Sequence, residues 1–255
     1  MISREGIVIK TIKYQETSKI VYVLCEDGLV SLLMRNANNF KSKNYSYSQE
    51  LTEIGFDYSE KNNFKIMTSG KVLNNFTKIK EDPNKIFNVI SILEIIYTLS
   101  DHVNDNKILY NFLKTILERI NDSKLEYYYL IFKIKLLYLL GVAPNLISCK
   151  KCHKKENLIS LELNSGSSLC KNCYQLTENS IQGNSYEVLR FLYLTKLEFL
   201  TDEVLNKLPD CYKKIDDFLD KYYEHYLGYK SKTKKILNKI INSWINWHFL
   251  SILKV

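Results

Sequence analysis

The sequence predicts an α+β protein of several domains: a small N-terminal β-barrel, then a helical domain that carries an inserted four-cysteine element. Three observations support this prediction. Short β-branched segments fill residues 1–80, helical periodicity dominates after residue 80, and four of the six cysteines form two pairs inside residues 149–178. We therefore expect the helical domain in two parts, residues 81–148 and 179–255, with the cysteine element between them.

The first 80 residues contain a series of short aliphatic segments separated by polar turns. β-Branched and aromatic residues favour strands, and alternation of apolar and polar residues is typical of strands with one buried face. The predicted strands are GIVIKTI, KIVYVLC, GLVSLLM, LTEIGFDY, FKIM and KVLNNF. Five or six short strands in so short a region fit a closed or half-closed barrel, which leaves few exposed edges.

The pattern changes at Asp82, which precedes Pro83 and so predicts the start of a helix. Apolar residues then recur at helical spacing in this first segment, in a second at 108–120 and in a third at about 125–140. The third is apolar on nearly every side, so we expect it at the centre of the helical core. Helical patterning returns after the cysteines, and the aromatic residues at 212–226 are expected to pack in the core.

The formal net charge of +8 and the pI near 9.0 suggest an acidic partner, with nucleic acid first. The chain is also rich in Lys, Asn, Ile and Tyr, so total charge is a weak indicator and its position matters more. Two stretches lack acidic residues, 28–49 and 225–255. No secretory signal is recognisable, and the most apolar run is interrupted by Lys133 and Lys135. We expect a cytoplasmic protein without a membrane partner, where disulfides seldom persist.

The paired cysteines have the spacing of a four-thiolate metal site: Cys149-x2-Cys152, seventeen residues, then Cys170-x2-Cys173. Two such turns, joined by a hairpin, can complete a tetrahedron around one ion, so the spacing predicts a structural zinc. Four thiolates leave no open position for water, which argues against a catalytic metal. An iron–sulfur cluster remains an alternative, because spacing alone does not separate it from zinc.

Two other interpretations of the cysteines fit less well. The segment CKKCH matches a c-type haem attachment motif with His153 as ligand, but haem attachment normally requires export. A redox dithiol would need a βαβ context, which the sequence does not provide. We therefore expect His153 to be a surface residue, and Cys25 and Cys211 to be packed thiols without a function.

No motif of an enzyme is present. The sequence lacks the phosphate-binding glycine loops, the metalloprotease and deaminase metal patterns and the nucleophile elbow. It has only eight glycines and four histidines. We expect no catalytic residue and no enzymatic activity.

The segment from Leu32 to Gln49 combines cations with aromatic residues. Arg35, Lys41 and Lys43 could follow a phosphate backbone, and Phe40 and two tyrosines could stack on bases, as single-stranded nucleic acid requires. The alternative is a solvated lysine-rich loop whose aromatic side chains return to the core.

The order of these parts resembles the bacterial RecO family of recombination mediators. The residues that carry the resemblance are GIVIKTIKYQETSKIVYVLCEDGLVSLLMRNANNFKSK, LLYLLGVAPNLISCKKC, SLELNSGSSLCKNC and YYEHYLGYKSKTKKIL. The resemblance implies an OB-fold barrel that binds single- and double-stranded DNA, a zinc finger held by the two cysteine pairs, and no turnover. Carried over by position, the DNA-binding loop falls on Arg35, Lys41 and Lys43, beside Phe40.

The same resemblance implies a cellular role. Family members anneal complementary strands coated by single-stranded-DNA-binding protein and, with the partner RecR, help to load the RecA recombinase, so a cytoplasmic, nucleoid-associated location is expected. Two departures stand out: Asn36, Asn38 and Asn39 occupy a loop where the family has more glycine and arginine, and the chain continues past Leu237. The alternative function is a zinc-stapled helical adaptor that binds proteins but not DNA.

The C-terminal region has two interpretations. Five lysines between Lys230 and Lys239 stand without an acidic neighbour in sequence, and the apolar residues of 240–252 can form one helical face. In the first, the face packs on the helical domain and the lysines are solvated. In the second, the lysines attract DNA or an acidic protein while the face docks a partner. We favour the first, because amphipathic stripes usually face their own core.

Overall fold

The computed structural model describes residues 4–123, 126–175, 179–236 and 239. The strands are β1 Arg4–Tyr14, β2 Ser18–Cys25, β3 Gly28–Met34, β4 Glu53–Lys61, β5 Phe64–Asn74, β6 Asn145–Cys149, β7 Leu158–Glu162, β8 Ser167–Cys170 and β9 Ser180–Gln182. The α-helices are α1 Lys43–Tyr47, α2 Thr77–Lys80, α3 Pro83–Leu99, α4 Asn106–Asp122, α5 Tyr127–Leu139, α6 Asn184–Leu194, α7 Asp202–Leu205 and α8 Tyr212–Leu227.

The first five strands close into a barrel in the order β1-β2-β3-β5-β4, with β3 and β5 parallel and the other pairs antiparallel. The barrel interior is filled by small and medium apolar side chains. They are Val8, Val21, Val23, Cys25, Val30, Leu32, Met34, Ala37, Ile54, Phe56 and Met67. The predicted barrel is confirmed. The number of strands is five, because the two segments expected as separate strands after residue 63 form the single long strand β5.

The helical domain is built around α5. As the sequence predicts, α3 begins at Asp82, whose carboxylate accepts hydrogen bonds from the N–H groups of Asn84 and Lys85. Nine consecutive or near-consecutive residues of α5 are buried, including Lys133. Gly141, with φ +72°, follows this helix in the left-handed conformation expected of a helix stop.

The barrel and the helices share one apolar core. The outward side chains of Ile7, Ile9 and Leu24 pack with α3 and α4 in that core. A polar link lies beside it: buried Glu53 of β4 accepts hydrogen bonds from Tyr110 at 3.2 Å and from Lys114 at 2.6 Å. The barrel is thus fixed to α4 by apolar burial and by a partly buried ion pair.

Cys149 and Cys170 end two strands of a second sheet, in the order β6-β8-β7-β9, and Cys152 and Cys173 lie in the turns that follow. This sheet extends beyond residues 149–178 on both sides, since β6 begins at Asn145 and β9 ends at Gln182. It packs on α6 and α8, where Tyr226 donates to the carbonyl of Leu163 at 2.9 Å. A Cβ at Gly166 would lie 2.8 Å from the Tyr222 hydroxyl, so only glycine allows this approach. The aromatic residues of α8 are core residues, as predicted.

No helix in the described part of the chain combines the length and the apolar character needed to cross a membrane. The apolar face expected at residues 240–252 lies outside the described residues.

Candidate nucleic-acid interface and metal centre

The loop between β3 and α1, residues 35–42, is shaped by its asparagines. Asn38 donates its side-chain N–H to the carbonyls of Glu16 and Ser18 at 3.1 and 3.2 Å, and its backbone N–H to Thr17 at 2.9 Å. Asn36 adopts φ +56°, a conformation that asparagine tolerates better than most residues. Of the asparagines that depart from the family pattern, Asn38 therefore anchors this loop against the β1–β2 turn.

The predicted DNA-binding cations are all exposed on this loop and on α1. Arg35, Lys41 and Lys43 form no ion pair with any described residue. Phe40 is 76% exposed, and the ammonium of Lys41 lies 5.9 Å from its ring centroid. The loop thus presents unpaired positive charge beside a bare aromatic ring, as a surface for nucleic acid requires. Phe40 does not return to the core, whereas Tyr47 of the same segment packs against the barrel core, as the alternative expected.

Two further features of this surface were not among the predicted site residues. Lys19 of β2 lies 5.1 Å from the ring of Tyr45 and donates to Ser48 at 3.1 Å. Tyr14 and Phe64, at the ends of two barrel hairpins, have ring centroids 6.0 Å apart, and Phe64 is 38% exposed. The sequence signal for Phe64 was its position directly after Asn62–Asn63, because asparagine pairs with positive φ mark a hairpin turn.

The C-terminal lysines differ from the expectation. Lys234 is largely buried and pairs with both Asp216 and Asp220 of α8, and Lys230 pairs with Glu224 at 2.6 Å. The expectation that these lysines are solvated is wrong for Lys234, because α8 places the carboxylates of Asp216 and Asp220 beside it. Residues 232–236 form a helical turn, and the packing of the 240–252 face, on which the two interpretations differ, lies outside the described residues.

The four paired cysteines come together at the end of the second sheet. The sulfur atoms of Cys149, Cys152, Cys170 and Cys173 all lie within 4.8 Å of one another, and those of Cys152 and Cys170 are 3.6 Å apart. A disulfide would hold two sulfurs at about 2.05 Å, and all six cysteines are free thiols. Tetrahedral ligation at about 2.3 Å per bond places sulfurs about 3.8 Å apart. This cluster could therefore hold one metal ion.

Backbone N–H groups converge on this cluster and favour thiolate. Burial is the largest influence on Cys149 and opposes ionisation, yet hydrogen bonds from the N–H groups of Cys170, Cys152 and Lys151 lower its pKa to about 6. Hydrogen bonds with Cys152 and Cys170 instead raise the pKa of Cys173 to about 12. A cation that replaced the thiol protons would thus be bound by sulfurs that the fold already holds close together.

The remaining candidates occupy the positions expected of residues without a site role. His153 is exposed with φ +61° and donates its backbone N–H to the carbonyl of Cys149 at 2.9 Å, which closes the first cysteine turn. Cys25 is buried in the barrel, and burial raises the pKa of its thiol to about 12. Cys211 is buried at the start of α8.

Comparisons with known proteins agree with this architecture. The family model described as "Recombination protein O N terminal" matches residues 1–76, and "Recombination protein O C terminal" matches residues 80–235. The chain is 27% identical to the DNA repair protein RecO of Oceanobacillus iheyensis over 239 residues, 92% of each protein. It is 25% identical to that of Listeria monocytogenes over 246 residues, 95% of each. The protein of Exiguobacterium sibiricum is 24% identical over 241 residues, 93% of this chain and 96% of that protein. The resemblance indicated by the sequence motifs is confirmed.

Proposed function

The chain belongs to the RecO family, and we propose that it acts in recombinational DNA repair as a non-catalytic mediator that binds DNA and anneals complementary single strands. The observation that supports DNA binding most directly is the loop 35–42 with α1. Its three cations have no acidic partner among the described residues, and Phe40 stands 76% exposed beside them.

The chemistry of annealing fits such a surface. Strands that approach each other repel through their phosphates, and cations that neutralise part of that charge allow the bases to pair. Aromatic side chains that stack on bases are tolerant of sequence, so the surface can hold any strand. The protein needs to hold, neutralise and release the strands, and no bond is made or broken. We therefore propose that it has no enzymatic activity.

The barrel gives this surface its position. OB-folds bind oligonucleotides on the face of their second and third strands and on the turns between strands 1–2 and 4–5. Here Tyr14 and Phe64 lie at those two turns, and loop 35–42 packs against the first of them. We propose that single-stranded DNA runs across this end of the barrel, with double-stranded DNA bound through its phosphates by the same cations.

The family supplies the proposed partners and location. We propose that the chain acts on strands coated by single-stranded-DNA-binding protein, cooperates with RecR and so assists RecA loading, in association with the nucleoid. The cysteine cluster is proposed to hold a structural zinc through Cys149, Cys152, Cys170 and Cys173. Four sulfur ligands suit zinc, and the closed set leaves no position for a reacting group.

Salt-dependent binding tests the DNA-binding proposal. In the barrel triple variant, Arg35, Lys41 and Lys43 are replaced by alanine. We expect weaker binding to a single-stranded oligonucleotide and a slope of log affinity against log salt that is less steep by about 2, since each lost phosphate contact removes about 0.7. The control triple variant, Lys207, Lys213 and Lys214 to glutamine, removes the same charge from exposed positions of the helical domain and should leave the slope unchanged.

The result separates the two functions. A protein that binds no oligonucleotide at low salt would be an adaptor that binds proteins only. Binding with equal slopes in the barrel triple and control triple variants would mean that loop 35–42 is merely solvated.

A further inference from the structure

A second group of unpaired cations lies around the cysteine cluster. We call residues 149–175 the cysteine hairpin. Its lysines are exposed, and none forms an ion pair with a described residue; they are Lys150, Lys151, Lys154, Lys155 and Lys171. The acidic residues of the hairpin are Glu156 and Glu162, and Glu162 accepts a hydrogen bond from Ser165 at 2.7 Å.

The fold gathers these lysines at one tip. The sulfurs of both cysteine turns lie within 4.8 Å of one another, so the lysines of the two turns are neighbours although twenty residues separate them in sequence. Backbone hydrogen bonds fix the turns: Lys150 donates to the carbonyl of Ser168 at 2.9 Å and Lys171 to that of Asn157 at 3.0 Å. The lysines are therefore carried on hydrogen-bonded turns, and their exposed side chains are free to meet a ligand.

The thiolates do not account for all of this charge. A divalent ion bound by four thiolates carries two net negative charges. With Glu156 and Glu162 the hairpin has four negative charges against five lysines. Backbone N–H groups already hydrogen-bond the sulfur of Cys149. A positive surplus remains exposed, in contrast to the C-terminal region, where Lys230 and Lys234 are held by carboxylates of α8.

The hairpin and the barrel surface sit on different parts of the helical domain. The second sheet packs on α6 and α8, whereas the barrel packs on α3 and α4. The two surfaces therefore rest on different helices of the domain. Annealing requires that two strands, or two parts of one strand, be held near one another while their charge is screened.

We propose that the cysteine hairpin is a second phosphate-binding surface, which holds a nucleic-acid strand segment separate from the one on the barrel. The ligand is the phosphodiester backbone, bound through lysine ammonium groups without base recognition. This inference rests on the proposed function, since it assigns the second strand of the annealing reaction to a named surface.

Lysine footprinting on the unaltered protein tests it directly. The full chain is acetylated with and without a single-stranded oligonucleotide of about 40 nucleotides at low salt, and modified lysines are quantified by mass spectrometry. We expect at least threefold protection of Lys150, Lys151 and Lys154, and none at Lys207 or Lys213. Equal modification of the hairpin lysines with and without DNA would overturn the proposal.

A matched set of variants tests its role in annealing. In the hairpin triple variant, Lys150, Lys151 and Lys154 are replaced by glutamine; metal content and thermal midpoint are measured first. We expect a salt slope less steep by about 2 and annealing at least tenfold slower than in the control triple variant. Behaviour equal to the control in both assays would refute the second surface. If the hairpin triple variant is impaired while the barrel triple variant is not, the barrel is not the DNA-binding surface and the hairpin inference stands. If only the barrel triple variant is impaired, the barrel surface stands and the hairpin inference is wrong.

Discussion

The ammonium of Lys133 lies 2.6 Å from a carboxylate oxygen of Asp216, in the interior between α5 and α8. Lys133 also pairs with Asp220 at 2.6 Å, and both aspartates pair in turn with Lys234. Burial would raise the pKa of Asp216, but Lys133 and Lys234 together outweigh it and lower that pKa. Two lysines and two aspartates thus join the central helix, α8 and the segment that follows Gly228.

Removing one member of this cluster should be strongly destabilising. Lys133→Met leaves the mostly buried carboxylate of Asp216 and the more exposed one of Asp220 with Lys234 alone. Breaking a buried pair typically costs about 3–5 kcal/mol. Urea denaturation measures the free energy of unfolding. As a control, Lys78→Met breaks the exposed pair with Asp122 and should cost less than about 1 kcal/mol. Equal losses of unfolding free energy in the two variants would show that the buried cluster stabilises the protein no more than an exposed ion pair does.

Acid should loosen the C-terminal segment through Glu94. This carboxylate of α3 accepts hydrogen bonds from Ser231 at 2.8 Å and from the N–H of Lys232 at 2.7 Å. Burial raises the pKa of Glu94, but these bonds and that from Thr233 outweigh it, and the pKa is lowered. A lowered folded-state pKa stabilises the protein above the unfolded value of about 4.3 and loses that effect as pH falls through the folded value.

The corresponding experiment compares Glu94→Gln with the unaltered protein by urea denaturation between about pH 7 and pH 3. At pH 7 the variant should be less stable by about 0.5–2 kcal/mol, because a charged helix cap is lost. The difference should shrink below about pH 4. Glu203→Gln, at an exposed position, serves as the control. A difference that stays constant with pH would contradict ionisation of Glu94 as its cause.

The cysteine cluster should hold about one zinc per chain. Cys170→Ser should lower the metal content, measured by elemental analysis, and reduce the thermal midpoint by about 5 °C or more, since an incomplete thiolate set loses folding free energy. Cys211→Ser, outside the cluster, should keep its zinc. Purified protein that contains iron, or no metal, would contradict the zinc assignment.

Phe40 should contribute to binding without contributing to stability. Loss of one stacked base costs about 1–3 kcal/mol of binding free energy, so Phe40→Ala should weaken binding to single-stranded DNA by about tenfold or more. Its thermal midpoint should not change, because the ring is 76% exposed. Phe199, 61% exposed in the helical domain, provides the matched control. Unchanged affinity in Phe40→Ala would show that the Phe40 ring does not stack on a DNA base.

The sequence alone determined the parts and their order. Local patterns carried that information: the Asp82-Pro83 helix start, the helical repeat of α5, the β-branched barrel segments and the cysteine spacing each act within a few residues or a single turn. The sequence left open whether the barrel has five strands or six, because a long, mostly exposed strand has weak alternation and β5 buries only Met67. It also did not predict the short helices α1, α2 and α7.

The tertiary structure decided which charges are available. By sequence, Lys133 interrupts an apolar helix and Lys234 belongs to an acid-free stretch, so neither suggests a partner. In space both reach Asp216 and Asp220, at sequence separations of 83 and 87 residues for Lys133. The tertiary fold likewise brought Tyr14 to Phe64 and the hairpin lysines to one tip. Periodicity reports which face of an element is apolar, but an ion pair depends on which elements become neighbours, and only packing sets that.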